Sequence, residues 1–226
     1  MKRIFLTAVL ALSVLLTSTA FIPTPNMVLV NRALKSVVHL TGTSHTTQTL
    51  EQSIQVTMFI EKATQEGEPD HYGCSAFSIA PRKFLTAAHC MGDNMVVDGH
   101  KAFMVAQDVN ADLAIIVSDY EKPALEMRTL PLALQEETVS LGYGYSWKYP
   151  TILHHLVMIT NYSPYMEIMP GTWFSTAFIG GMSGGPVVDL HGQIVGVVQR
   201  GDYQVGYGVD SATIFKFLQS TVVILD

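Results

Sequence analysis

The sequence predicts an all-β fold, a barrel or sandwich finished by one short C-terminal helix, and three observations carry that prediction. Short runs of β-branched and aromatic residues recur along the chain, with no long amphipathic helix among them. Turn-forming clusters built on Gly, Pro and Asp separate these runs. Near the end, Ile214, Phe215 and Leu218 fall at helical spacing, so 211–219 reads as the helix.

Taken in order, the N-terminus reads as an export signal. Lys2-Arg3 precedes an apolar stretch, 4–16, broken only by Thr7 and Ser13, and Ser18-Thr19-Ala20 supplies the small residues of a cleavage site. The apolar stretch is shorter than the roughly 20 residues of a membrane span, which favours a cleaved signal over a retained anchor. The expected organisation is therefore a signal peptide at 1–20, an N-terminal segment at 21–50 and the main domain at 51–226. The segment 21–50 is either trimmed as a propeptide or folded onto the domain, and 44–52, rich in Thr, Ser and Gln, reads as a surface loop. Strands are expected at 53–60, 74–79, 101–105, 113–117, 138–141, 155–160, 165–169, 173–178, 187–189 and 193–199. Asp98-Gly99 and His191-Gly192 sit between apolar runs as tight hairpin turns do, and Gly67-Glu68-Pro69-Asp70 and Ala80-Pro81-Arg82-Lys83 mark two further turns. The loosest stretch, 123–137, suits a connection between two β halves.

Composition excludes several classes. With 48% hydrophobic and 14% charged residues the chain is not disordered, and a net charge of −6 argues against binding a phosphate backbone. Export permits the two cysteines, Cys74 and Cys90, to pair, although two buried thiols remain the alternative. A bridge of that loop length contributes about 3 kcal/mol in the chain-entropy model. No CxxC or His/Cys cluster with zinc spacing is present; His154 and His155 are adjacent in an expected strand and so point to opposite faces. No metal and no cofactor are expected. Asn161-Tyr162-Ser163 fits a glycosylation acceptor formally, but Pro164 follows it and nothing else marks the chain as eukaryotic.

Three separated stretches carry chemistry. TAAHC places His89 after an apolar strand, ADLAII places Asp112 at the head of another, and IGGMSGGP surrounds Ser183 with glycines. A serine hydroxyl needs a positioned base to become a nucleophile, and a near-neutral histidine can take that proton and return it to a leaving amine. A carboxylate fixes the imidazole tautomer and stabilises the imidazolium. Glycines flanking the serine let backbone N–H groups, here those of Gly181 and Ser183, converge on a developing oxyanion. Asp108 and Asp119 compete with Asp112, but one precedes the strand by too much and the other lies beyond its apolar run.

In these blocks the chain resembles the chymotrypsin/trypsin-like serine endopeptidases, over roughly 53–218 and in the family's His, Asp, Ser order. The resemblance implies two six-stranded antiparallel β-barrels with the triad His89, Asp112 and Ser183 in the cleft between them. It implies Gly181 and Ser183 as the oxyanion hole, and a Cys74–Cys90 disulfide bracketing the histidine loop. It also implies a protein or peptide substrate as partner, while the N-terminal signal pattern gives a secreted or periplasmic location without a stable membrane anchor. Met182 stands where animal digestive members carry the aspartate that pairs with a new N-terminus, so activation by that ion pair is not expected. The single cysteine pair and GGPVVDLHGQIVGVV bring the chain closer to bacterial secreted members and to the protease core of the high-temperature-requirement family. That family's C-terminal peptide-binding domain is not expected, because the chain ends soon after the last helix.

By the same resemblance the substrate pocket is walled by 173–182, 198–201 and 206–208, with Ala177, Val198, Arg200, Gly201 and Gly206 as lining residues. Ala177 falls where trypsins carry the aspartate that binds Lys or Arg. A cationic side chain there would be desolvated unpaired, so cleavage after small or apolar uncharged residues is expected. Arg200 could favour acidic groups at neighbouring positions, against the simpler role of a surface ion pair. Two rivals are weighed. A catalytically silent binding protein on the same fold usually loses a triad residue, and all three are retained. An esterase of the α/β-hydrolase type shares G-x-S-x-G, but its order is Ser, acid, His, and Pro186 argues against its helix after the serine.

Overall fold

The computed structural model describes residues 27–44, 70–144, 150–162, 171–201 and 204–225. Twelve strands are found there. Six form the first closed barrel: β1 (Val37–Ser44), β2 (Asp70–Ala80), β3 (Lys83–Thr86), β4 (Asp93–Val97), β5 (His100–Asp108) and β6 (Leu113–Ser118). The second closed barrel holds β7 (Glu137–Gly142), β8 (Thr151–Tyr162), β9 (Gly171–Phe174), β10 (Pro186–Asp189), β11 (Ile194–Gly201) and β12 (Gly206–Asp210). All neighbours pair antiparallel, in the order 1-2-3-6-5-4 in one barrel and the same order repeated in the other. The fold is thus the expected pair of six-stranded barrels.

The hairpins follow from local chemistry. Asp98 and Gly99 join β4 to β5 with φ of 46° and 88°, the double left-handed turn that Asp-Gly favours. Between β10 and β11, the Asp189 carboxylate accepts the N–H groups of His191 and Gln193, tying the turn at Gly192. Pro81 and Arg82 alone make the turn between β2 and β3; Lys83 already pairs with Ala80.

Several boundaries differ from the sequence expectation. The run at 173–178 leaves the sheet after Phe174, where Ser175 exchanges hydrogen bonds with Leu156 instead of extending the ladder. β1, β3, β4 and β12 were not expected, being short or interrupted by Gly, Asp or Asn. The chain enters the barrel well before residue 51: β1 closes it by pairing with both β2 and β4, and Val38 and Leu40 are fully buried. Ser44, expected in a loop, ends that strand. The expected signal peptide and the expected strands at 53–60 and 165–169 lie outside the described residues.

Two helices complete the molecule. α1 (Met27–Leu34) buries Val30 and Ala33, and the turn at Gly192 in the second barrel lies against it. α2 (Ser211–Leu225) is capped by the Asp210 carboxylate on the Thr213 N–H and buries Ile214 and Phe217 against the second barrel. One apolar cluster runs between the barrels through Phe77, Leu113, Leu141 and Val197, with separate clusters inside each. The connection between the barrels, residues 119–136, is anchored by Leu125 N–H to Ser78 O and by a bridge from Met127 to Ile194.

Candidate active site

His89 sits in a 3-10 turn, Ala88–Cys90, at the end of β3. Cys90 is bonded to Cys74 on β2, with a Cα–Cα distance of 6.1 Å, so the turn is pinned to the neighbouring strand. Cys74, His89 and Cys90 bring three donor atoms within 4.8 Å, but both sulfurs are consumed in the disulfide, leaving no thiolate for a metal.

Asp112 stands just before β6. The Asp108 carboxylate accepts the N–H groups of Asn110 and Ala111, forming the bend that delivers Asp112 with a left-handed φ of 54°. One Asp112 oxygen accepts the His89 backbone N–H at 2.8 Å, and the other meets His89 Nδ1 at 2.7 Å. The carboxylate is nearly buried while the imidazole is half exposed, so the second ring nitrogen is left for a reactant. Both competing aspartates are occupied elsewhere. Asp108 caps its own turn, and Asp119 pairs with His100 on the surface.

The glycines around Ser183 are a packing requirement, against the first barrel at Gly184 and against β7 and the residues after it at Gly181 and Gly185. At Gly184, φ +81°, a Cβ would fall 2.3 Å from Ser75 O of β2 and 2.1 Å from Thr86 Oγ1 of β3. At Gly181, φ +92°, it would fall 2.4 Å from Tyr143 O, and at Gly185 2.2 Å from Leu141 O. The loop is held by Met182 N–H to Ile179 O, Gly184 N–H to Val198 O and Gly185 N–H to Met182 O. Among the described residues, the N–H groups of Gly181 and Ser183 donate to no backbone acceptor. The Ser183 hydroxyl donates to Gln199 O at 3.1 Å; its single proton is therefore not on His89 in this conformation.

Of the expected pocket residues, the structure brings Gly201 and Gly206 together as partners on β11 and β12, both against Phe178. A Cβ on Gly206 would lie 2.9 Å from the Phe178 ring, and one on Gly201 2.6 Å from the Phe178 N. Val198 is buried in the same cluster as Phe178 and Met182, while Ala177 and Arg200 are half-buried. His154 is exposed and His155 buried, on opposite faces of β8 as expected.

Three contributors escaped the sequence reading. Gln199, beyond accepting Ser183, donates Nε2 to Ala111 O next to Asp112. Thr86 Oγ1 donates to Ser75 O, and Ser75 reaches the Ser183 loop from the first barrel. The sequence shows Ser75 only as a serine after Cys74; its burial, which marks its role, comes from the fold.

Residues 74–197 match the family model of the trypsin-like peptidase domain. No curated protein sequence matches the chain. Among solved structures, the active form of the Rv3671c protease from M. tuberculosis is similar at 22% identity and a TM-score of 0.66, covering 87% of this chain and 86% of that one. The HtrA-type protease AlgW with a tripeptide is similar at 19% identity and a TM-score of 0.67, covering 86% of this chain and 62% of that one. These likenesses are of fold.

Proposed function

Because this chain belongs to the trypsin-like peptidase family and is a serine endopeptidase, we propose that Ser183, His89 and Asp112 form its catalytic triad, with Gly181 and Ser183 as the oxyanion hole. The observation that carries the assignment is the two-point grip of Asp112 on His89, at 2.8 and 2.7 Å. It holds the imidazole with Nδ1 protonated and the other nitrogen basic.

The roles then follow the family's general mechanism. Substrate binding turns the Ser183 hydroxyl from Gln199 O towards His89. As His89 takes the proton, the oxygen attacks the scissile carbonyl, and the N–H groups of Gly181 and Ser183 receive the developing negative charge. His89 returns the proton to the leaving amine, which departs as the carbonyl re-forms on Ser183. Water, deprotonated by His89, then attacks the acyl-enzyme and releases the second product, restoring the Ser183 proton. Asp112 stays hydrogen-bonded to Nδ1 throughout and stabilises the imidazolium.

A peptide partner is supported by the family and by the peptide complex of the similar AlgW protease. The Phe178 ring lies against Gly206, and no carboxylate is among the expected lining residues, Ala177, Val198, Arg200, Gly201 and Gly206. Both features support cleavage after small or apolar uncharged residues. An exported location is supported by the disulfide and the N-terminal signal pattern. No helix among the described residues is long and apolar enough to cross a membrane.

Protein lacking residues 1–20, beside its Ser183→Ala variant, tests the reading with a fluorophosphonate probe and a mixed peptide library. Labelling and cleavage by the first alone, at small or apolar residues, are expected. Cleavage mainly after Lys or Arg would overturn the pocket assignment. No labelling, even after limited removal of the N-terminal segment, would favour the silent binding protein.

A further inference from the structure

Ser75 is fully buried on β2, in the barrel opposite the Ser183 loop, and every polar group it carries is engaged. Its N–H donates to Ser183 O at 2.8 Å and its hydroxyl donates to Gly181 O at 2.8 Å. The same hydroxyl accepts the Tyr143 N–H at 2.8 Å, and its carbonyl accepts Thr86 Oγ1 at 2.8 Å. One residue of the first barrel thus grips both ends of the tripeptide 181–183 and the start of the segment after β7. The space is tailored to the hydroxyl: a Cβ on Gly142 would fall 2.9 Å from Ser75 Oγ and 3.1 Å from Met182 Cα.

The grip acts on the peptide groups 181–182 and 183–184, which flank the one carrying the Ser183 N–H and follow the one carrying the Gly181 N–H. A peptide unit is rigid, so fixing the Gly181 and Ser183 carbonyls limits how the intervening backbone can rotate. The N–H groups of Gly181 and Ser183 are then held in one orientation, with no backbone acceptor among the described residues. Between them Met182 is completely buried in the second barrel's cluster, an apolar anchor with no charge to pair.

We infer that Ser75 is a positioning residue that holds the oxyanion donors in their working orientation from the first barrel, so that the site is assembled by folding and not by an activating cleavage. This rests on the endopeptidase assignment above. The hydroxyl's two bonds close the link between barrels that sets the loop, and the link needs no free N-terminus.

Ser75→Ala, compared with wild type in the chain lacking residues 1–20, tests it. Activity is normalised to sites titrated with the fluorophosphonate, which removes any loss from misfolded protein. Expected in the variant are a kcat lower by on the order of 100-fold, as for a small displacement of catalytic groups, with KM unchanged. A peptide aldehyde, whose adduct carries the oxyanion, is expected to bind more weakly in the same proportion. Amide exchange in 180–185 is expected to quicken. A kcat per titrated site equal to wild type, or a loss confined to KM, would overturn the inference, as would unchanged exchange in 180–185. If wild type neither labels nor cleaves, the endopeptidase assignment fails instead, and the exchange comparison alone decides whether Ser75 braces the loop.

Discussion

His89 and His155 meet opposite environments, and the contrast decides what each can do. The first is half exposed and gripped by a carboxylate, as the role proposed for it requires. The second is 2% exposed inside the second barrel, beside Phe174 and Phe178, with Nε2 at 2.6 Å from Ser140 Oγ and no partner on Nδ1 among the described residues. Burial, with a smaller push from His154, holds the His155 pKa down to about 4 from an ordinary 6.5. Below pH 6.5 the unfolded chain takes up a proton that the folded protein refuses. Stability from this group is therefore complete above about pH 6.5 and is lost as pH falls towards 4, by about 3 kcal/mol in all. Urea unfolding of wild type and His155→Gln at pH 7 and pH 4.5 checks it: the variant is expected to lose less stability between the two. Equal losses would place the acid sensitivity elsewhere. The opposite facing of His154 and His155 could be read from strand alternation, but not which one the barrel encloses, since that depends on the strands closing over it.

Among the elements, the 3-10 turn Ala88–Cys90 has too few hydrogen bonds to hold its own shape, so the disulfide to β2 and the Asp112 carboxylate do it. Cys90 is fully buried and Cys74 nearly so, which keeps the bond away from solvent. Replacing both with Ala is expected to lower stability by about 3 kcal/mol in urea unfolding, the chain-entropy value for a loop of this size. A loss below about 1 kcal/mol would mean that packing around Thr86 and Ala87 holds the turn unaided. Strands with continuous apolar runs, such as β6 and β11, were legible in the sequence because their burial is written in every residue. β1 and β12 were not, since Gly42 interrupts the first and Gly206, Gly208 and Asp210 the second, residues that disfavour strands. Neighbouring strands supply the hydrogen bonds that make them strands.

For the whole molecule, the closure of the first barrel reaches back into the N-terminal segment. β1 pairs with β2 over its full length and also with β4, and Val37, Val38 and Leu40 are buried, so it is a closing strand with no free edge. Protein beginning at residue 45 is expected to lose cooperative thermal unfolding and fluorophosphonate labelling, whereas protein beginning at residue 21 keeps both. Retention of labelling without β1 would show that the barrel closes by another route. The same closure supports the site, because Ser75 on β2 lies opposite His39 of β1 while holding Ser183 in the other barrel.

By itself the sequence determined the all-β class, the two tight hairpins, the C-terminal helix and the three chemical blocks. Each of these is a local property: side-chain alternation, turn chemistry, or a residue set whose types serve one reaction. Tertiary structure alone decided how Asp112 grips His89 at two points, which hydroxyl bonds the Ser183 loop, and that Phe178 lies over Gly206. Those contacts join residues far apart in the chain across the seam of two barrels. Their geometry is set by strand register and barrel closure, which no local pattern of residues encodes.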